Sequence, residues 1–285
     1  LFRSFSGSYH ANFYIGNRNG SNEILAWGQG MAGYIGTGSG DITSPTTVSN
    51  TSYAGIPYEV RSSSSGGASG LSALVLRTST KLYFFGTSGN LTAITSYAGF
   101  GGASLTTAAS DVTSKLPAGV AITDVAQMAV SQTAFAIVTN SGHVYILTKV
   151  QNLQGDGAAA GPSTWHHVTL TDGTTFLSGV TKFSLSSSGA FALTSTGKLY
   201  YWGAPANVSG SANTTTSYPK AFDMSAQIPS GTNVTDLVCL GTKATSNYST
   251  LFLLCSNNKV YGCGLNTNGV LGINNATTTT NQATF

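Results

Sequence analysis

The sequence predicts an all-β fold, a β-propeller of four-stranded antiparallel blades, on three observations. A short apolar motif ending in glycine returns at a near-constant interval along the chain. A second apolar run precedes each copy across a polar turn, which is the pattern of a β-hairpin. No stretch carries a helical period, so every repeat reads as strands.

The motif is Ile24-Leu25-Ala26-Trp27-Gly28. It returns as Leu82-Tyr83-Phe84-Phe85-Gly86, Val144-Tyr145-Ile146-Leu147-Thr148, Leu199-Tyr200-Tyr201-Trp202-Gly203 and Val260-Tyr261-Gly262-Cys263-Gly264, at spacings of 58, 62, 55 and 61 residues. Phe191-Ala192-Leu193 before Thr194 to Gly197, and Leu251 to Leu254 before Ser256 to Asn258, show the hairpin partner and its turn. Upstream, Leu116 to Val125 matches Ile228 to Leu237 almost position for position. Downstream, Ser44 to Val48 and Tyr218 to Phe222 supply a further strand. Four short strands per repeat describe a propeller blade. A β-sandwich also needs many short strands, but nothing in a sandwich requires one sequence to recur at this interval. The chain of 285 residues therefore reads as a single propeller domain, 1–285, with repeats near 1–53, 54–116, 117–177, 178–230 and 231–285.

Trp27-Gly28 followed by Gly33-Tyr34-Ile35-Gly36, and Gly264 followed by Gly269-Val270-Leu271-Gly272, resemble the signature of the regulator-of-chromosome-condensation repeat family. The likeness spans the chain and is strongest in the first and last repeats. Trp202-Gly203 keeps the hairpin end, whereas repeats two to four lose the later Gly-apolar-apolar-Gly element and Thr148 replaces the glycine in the third. The resemblance implies a propeller that usually closes with seven blades, of which five are visible. The first repeat opens in a strand, Leu1 to Ser6, and the last closes in one, Asn281 to Phe285, with no strand exchanged between the ends. Together with a start at Leu1 rather than Met, this sets the expectation that the natural polypeptide continues, as a mature product or a piece of a longer chain. Relatives of this fold exchange nucleotides on small GTPases, bind histones, inhibit β-lactamases or decorate surfaces, so fold alone does not choose a function.

Composition narrows the choice. Charged residues make up 7% of the chain, against about 25% in an average soluble domain. The 12 basic and 9 acidic residues are scattered, with no basic run to follow a nucleic-acid backbone. Arg3, Arg18, Arg61 and Arg77, the only arginines, spread over the first two repeats, too thinly for a charged docking face. No apolar run reaches the about 20 residues of a membrane span.

Chemistry is sparse. His143 holds the strand-start position filled elsewhere by Glu23, Lys81, Lys198 and Lys259, which reads as solvated. His166 and His167 are adjacent and point to opposite sides of a strand, so they do not share a metal. Asp124 and Asp236 occupy equivalent positions and read as caps of the loop entering the blade, while Asp41 and Asp156 read as turn residues. No phosphate loop, nucleophile elbow or calcium loop is present, so neither catalysis, cofactor nor metal is expected. All three cysteines, Cys239, Cys255 and Cys263, fall in the last repeat. Cys239 is expected opposite Leu251 and Cys263 opposite about Phe252, too far apart for a disulfide.

The clearest functional signal is a set of N-glycosylation sequons at Asn19, Asn50, Asn90, Asn207, Asn213, Asn233, Asn247 and Asn275, most of them in predicted loops. Sugar would replace the hydration that missing charge does not supply. The expectation is an extracellular or cell-surface assembly module, glycosylated, contacting further copies of itself or other surface proteins. The alternative is a recognition propeller binding a protein or glycan on one face.

Overall fold

The computed structural model describes residues 2–7, 11–18, 20–28, 41–48, 53–64, 72–86, 109–131, 133–159, 161, 164–204, 217–241, 249–264, 266 and 271–272. These form five antiparallel sheets. The first runs β1 (Phe2–Gly7), β2 (Ala11–Arg18), β3 (Ser21–Gly28), β4 (Ile42–Thr47) in that order. The second contains β5 (Pro57–Ser64), β6 (Ser72–Thr78), β7 (Leu82–Gly86) and β8 (Ser110–Asp111). The third contains β9 (Val125–Val130), β10 (Ala134–Thr139), β11 (Val144–Thr148) and β12 (Thr164–His167). The fourth contains β13 (Val180–Leu185), β14 (Gly189–Thr194), β15 (Leu199–Gly203) and β16 (Tyr218–Asp223). The fifth has three strands among the described residues: β17 (Val234–Gly241), β18 (Ser249–Cys255) and β19 (Val260–Gly264). The expected closing strand, Asn281 to Phe285, lies outside the described residues.

The chain forms two compact units, Leu1–Gln132 and Thr133–Phe285, with the boundary falling between β9 and β10. In the first unit, Phe13, Ile15, Ile24 and Ala26 of the first sheet pack with Val60, Leu74, Leu76 and Tyr83 of the second. In the second unit, Phe191, Leu193, Leu199 and Tyr201 of the fourth sheet pack with Leu237, Cys239, Leu251, Leu253 and Cys263 of the fifth. Strand alternation sends one set of a blade's apolar residues forward and the other backward, so the first and second blades share one core and the fourth and fifth another.

Local chemistry explains why the repeat folds the same way each time. The turns between second and third strands place a left-handed residue at Gly20, Gly142, Gly197 and Asn258, which a tight hairpin demands. A register shift interrupts the first strand at Phe2/Ser4, Pro57/Glu59, Val180/Lys182 and Val234/Asp236. The glycine ending the third strand has its own reason. Gly203 sits at φ +134°, and a Cβ there would lie 2.3 Å from the Ser188 carbonyl oxygen. Gly28 and Gly264 share the positive φ. The third blade departs from this: Thr148 donates its hydroxyl to the Thr133 carbonyl at 2.9 Å and accepts the Val150 N–H.

Candidate interaction surfaces

Each blade's first strand is a sheet edge, with outward N–H groups that an exposed edge would leave to water. Side chains of the preceding blade take these groups up. Ser4 Oγ accepts the Val60 N–H at 3.2 Å, and Ser6 Oγ accepts the Ser62 N–H at 2.8 Å. Glu59 Oε1 accepts the Met128 N–H at 3.0 Å. In the second unit, Ser184 Oγ accepts the Cys239 N–H at 2.9 Å. Position, rather than residue type, recurs: Ser4 and Glu59 follow the first-strand register shift directly, and Ser6 and Ser184 lie two residues beyond it.

Glu59 anchors a buried ionic cluster. Its carboxylate meets Arg61 Nη2 at 2.7 Å and Arg77 Nη2 at 3.3 Å. Arg61 also donates to the Met128 carbonyl and to Ser4 Oγ, and Arg77 donates to the Val125 carbonyl. Burial pushes the Glu59 carboxyl above the usual glutamate range, opposed by the two guanidiniums and the Met128 N–H. Two of the arginines that look scattered in the sequence are therefore brought together by β5, β6 and β9.

A second recurring contact joins the start of the third strand to the fourth strand. Lys81 pairs with Asp111 at 2.7 Å and Lys198 with Asp223 at 3.1 Å. Glu23 accepts the Thr47 hydroxyl at 3.2 Å. His143 meets His167 at 3.2 Å, so it is a half-buried partner rather than a solvated strand start. His167 is stacked between Tyr145, at 4.3 Å, and Phe176, at 3.8 Å. Burial and the neighbouring His143 lower its pKa to about 4. His166, on the other side of the strand, pairs with Asp156 at 2.7 Å.

The remaining candidates distribute as follows. Asp124 accepts the Ala121 N–H, capping a short turn as expected. Asp236 instead lies within β17, accepts the Leu237 N–H and stands 3.6 Å from Lys182. The equivalence fails because the fifth blade extends its strand through the residues that form the turn in the third. The Cys239 register matches the expectation opposite Leu251. Cys263 also faces Leu251, one residue from the expected Phe252, because the turn closes with Cys255 N–H donating to Lys259. The three thiols are free and buried. Burial raises Cys239 to about 12, with Ser184 opposing, and raises Cys263 as well.

Trp202 is fully buried and donates its indole N–H to the Leu153 carbonyl at 3.1 Å, while Trp27 is half-buried. Gly272 has a positive φ and open space around it. Gly33, Gly36 and Gly269 lie outside the described residues, as do Asn19, Asn50, Asn90, Asn207, Asn213, Asn247 and Asn275. Asn233 is exposed immediately before β17.

Two surfaces stand out. A groove of about 370 Å³ in the first unit is lined by Asn17, Asn22, Tyr53, Ile56 and Tyr58 among others. An apolar depression of about 270 Å³ on the fifth sheet is lined by Val238, Phe252, Leu254 and Val260, with Asp236 at its edge. Neither was legible in the sequence, because exposure depends on what packs beside each blade. No group of three or more metal-ligating side chains occurs among the described residues, and no described helix is long and apolar enough to cross a membrane.

No family model and no curated protein matches the chain by sequence. Solved structures do match it by fold. Human WBSCR16 superposes with a TM-score of 0.64 at 12% identity, over 100% of this chain and 80% of that one. Yeast RCC1 (Prp20), solved bound to Kap60, gives 0.66 at 11% identity, over 98% of this chain and 59% of that one. Prp20p of Saccharomyces cerevisiae, reported with its binding to Gsp1p and histones, gives 0.66 at 11%, over 98% and 61%. The chain thus spans about three fifths of the yeast protein's length. At these identities the likeness establishes the fold, an RCC1-like β-propeller.

Proposed function

We propose that this propeller is a protein-interaction module serving assembly outside the cell, acting by binding rather than by turning over a substrate. One observation carries the reading. Of the seven large apolar side chains exposed among the described residues, four, Val238, Leu240, Leu254 and Val260, gather on one face of the fifth sheet. Contiguous apolar surface of this kind marks protein contact sites. The yeast structures of the same fold, with Kap60 and with reported binding to Gsp1p and histones, support protein binding as the general use. A strongly acidic partner is not favoured here, because Arg61 and Arg77 are held by Glu59. The sequons and the low charge support an extracellular setting.

A second reading rests on the groove beside Tyr53 and Tyr58. Phenol rings next to the Asn17 and Asn22 amides are the chemistry of a sugar site, so the groove is the place where a glycan ligand would bind.

The test is chemical cross-linking of the native protein in its source, read by mass spectrometry. Links from the propeller's lysines to other polypeptide chains, or to other copies, are the expected result. Exclusively intramolecular links contradict the reading.

A further inference from the structure

The third blade carries a side-chain relay built where the blade departs from the common pattern. Thr148 replaces the glycine that ends the third strand elsewhere, accepts the Val150 N–H, and leads the chain into a short turn at Gln151–Gln154. That turn is tied down by the Trp202 indole, which donates to the Leu153 carbonyl at 3.1 Å. Beyond it, Asp156 lies between two left-handed glycines. A Cβ on Gly155 would meet Trp202 and Val168 at 2.9 Å, and one on Gly157 would meet Lys220 at 2.6 Å. The Gly155 carbonyl accepts the Thr169 N–H, and the Gly157 N–H donates to the Pro219 carbonyl, both at 2.9 Å. Asp156 therefore sits on backbone fixed from both sides.

On β12, Thr164 and His166 are two residues apart and share one side of the strand. The Asp156 carboxylate meets His166 Nδ1 at 2.7 Å through Oδ2, while Oδ1 accepts the Ala158 N–H at 2.9 Å. The other ring nitrogen, Nε2, lies 3.1 Å from the Thr164 hydroxyl. An ionised carboxylate has no proton to give, so the short bond to Asp156 places a proton on Nδ1. In the neutral ring Nε2 is then an acceptor, and the Thr164 hydroxyl donates to it. A hydroxyl held by a base, with the base oriented by a third group, is the arrangement of an activated nucleophile. The imidazole is 11% exposed and Thr164 is exposed, so a reagent from solution reaches the hydroxyl more readily than the base.

We propose that Thr164 is an acyl-acceptor site, at which the chain takes one acyl group from an activated ester or thioester. Thr164 Oγ1 attacks the carbonyl carbon and forms a C–O bond, while its proton passes to His166 Nε2. The bond to the alkoxide or thiolate leaving group then breaks, and that group carries the proton away. Asp156 holds the ring in the tautomer this requires and faces the imidazolium during the transfer, so it is a positioning residue. General-base assistance of this kind contributes about 10²–10⁴-fold, which suits an acyl donor with a good leaving group rather than an amide. The product, a threonine ester, persists in neutral water, so the reaction is a single modification and not turnover. None of these residues belongs to the surfaces on which protein or glycan binding rests, and the two readings stand or fall separately.

The test incubates the purified full chain with p-nitrophenyl acetate at neutral pH and maps acetyl groups by peptide mass spectrometry. Thr164 is expected to gain an acetyl group at least about a hundredfold faster than the other hydroxyls. Thr164→Val removes this label, and His166→Gln slows it about a hundredfold or more, both with the wild-type circular dichroism spectrum. Asp156→Asn still accepts the Ala158 N–H, so the turn survives. Its amide donates to Nδ1, leaves the ring proton on Nε2 and slows acylation to a similar degree. Because the residues act as one unit, the Asp156→Asn/His166→Gln double variant should be no slower than His166→Gln alone. No acetyl group at Thr164, or a Thr164 label formed as fast in His166→Gln, overturns the proposal. A double variant slowed by the product of the two single losses overturns the positioning role of Asp156.

Discussion

Glu59 accepts the amide of Met128, 69 residues further along the chain, at 3.0 Å, and so joins the first strands of two blades through one buried carboxylate. The same carboxylate pairs with both Arg61 and Arg77, which are themselves bonded to backbone carbonyls of β9. Structure here follows from the edge-strand problem: outward amides at a blade's edge need acceptors, and the preceding blade supplies them.

Removing the Glu59 carboxylate leaves two guanidiniums partly buried without a counter-charge. Glu59→Ala is expected to destabilise the protein by about 3–5 kcal/mol. Urea unfolding measures this; a loss under about 1 kcal/mol would show that the cluster is not an energetic junction.

The third-strand glycine makes a sharper prediction. Gly203→Ala introduces a Cβ against the Ser188 carbonyl at φ +134°, and should cost about 2 kcal/mol or more. Gly197→Ala, at φ +80° with nothing within 4 Å, should cost about 1 kcal/mol. Thermal unfolding of the pair reads the difference, and equal costs would refute a role for close approach.

These two results separate what the sequence shows from what it hides. The hairpin period was legible because each blade must repeat an apolar strand, a turn and a glycine in fixed order. The glycine's purpose was hidden, since it depends on the backbone approach of Ser188 to Gly203. The Glu59 cluster was hidden for a different reason. Equivalent positions hold Ser4, Lys182 and Asp236, so no residue type recurs there, and Arg77 reaches Glu59 across a strand pair. Asp236 looked like Asp124 in sequence and differs only because the fifth blade's strand begins earlier.

Acid should weaken the third blade through His167. Its folded-state pKa is lowered to about 4, from 6.5 for an ordinary imidazole, by burial and His143. Between these values the unfolded chain binds a proton that the folded one does not, so stability is full above pH 6.5 and falls as pH drops towards 4. In His167→Gln that portion of the pH–stability slope should disappear. An unchanged slope would place the acid sensitivity elsewhere.

The cysteines should be inert in the folded protein. Cys239, Cys255 and Cys263 are buried, and burial raises the thiols of Cys239 and Cys263. A thiol-specific reagent at mildly alkaline pH should label none of them until denaturant is added. Fast labelling of the native protein would contradict the packing of the fifth blade.

The most direct test of blade-to-blade stitching is hydrogen exchange resolved to single amides. The Val60, Ser62, Met128 and Cys239 amides lie on sheet edges and should nonetheless exchange as slowly as amides within the sheets. Ser184→Ala should release the Cys239 amide while Val60 and Ser62 keep their protection. Rapid exchange of all four amides in the wild-type protein would show that the blades are not joined through their edges.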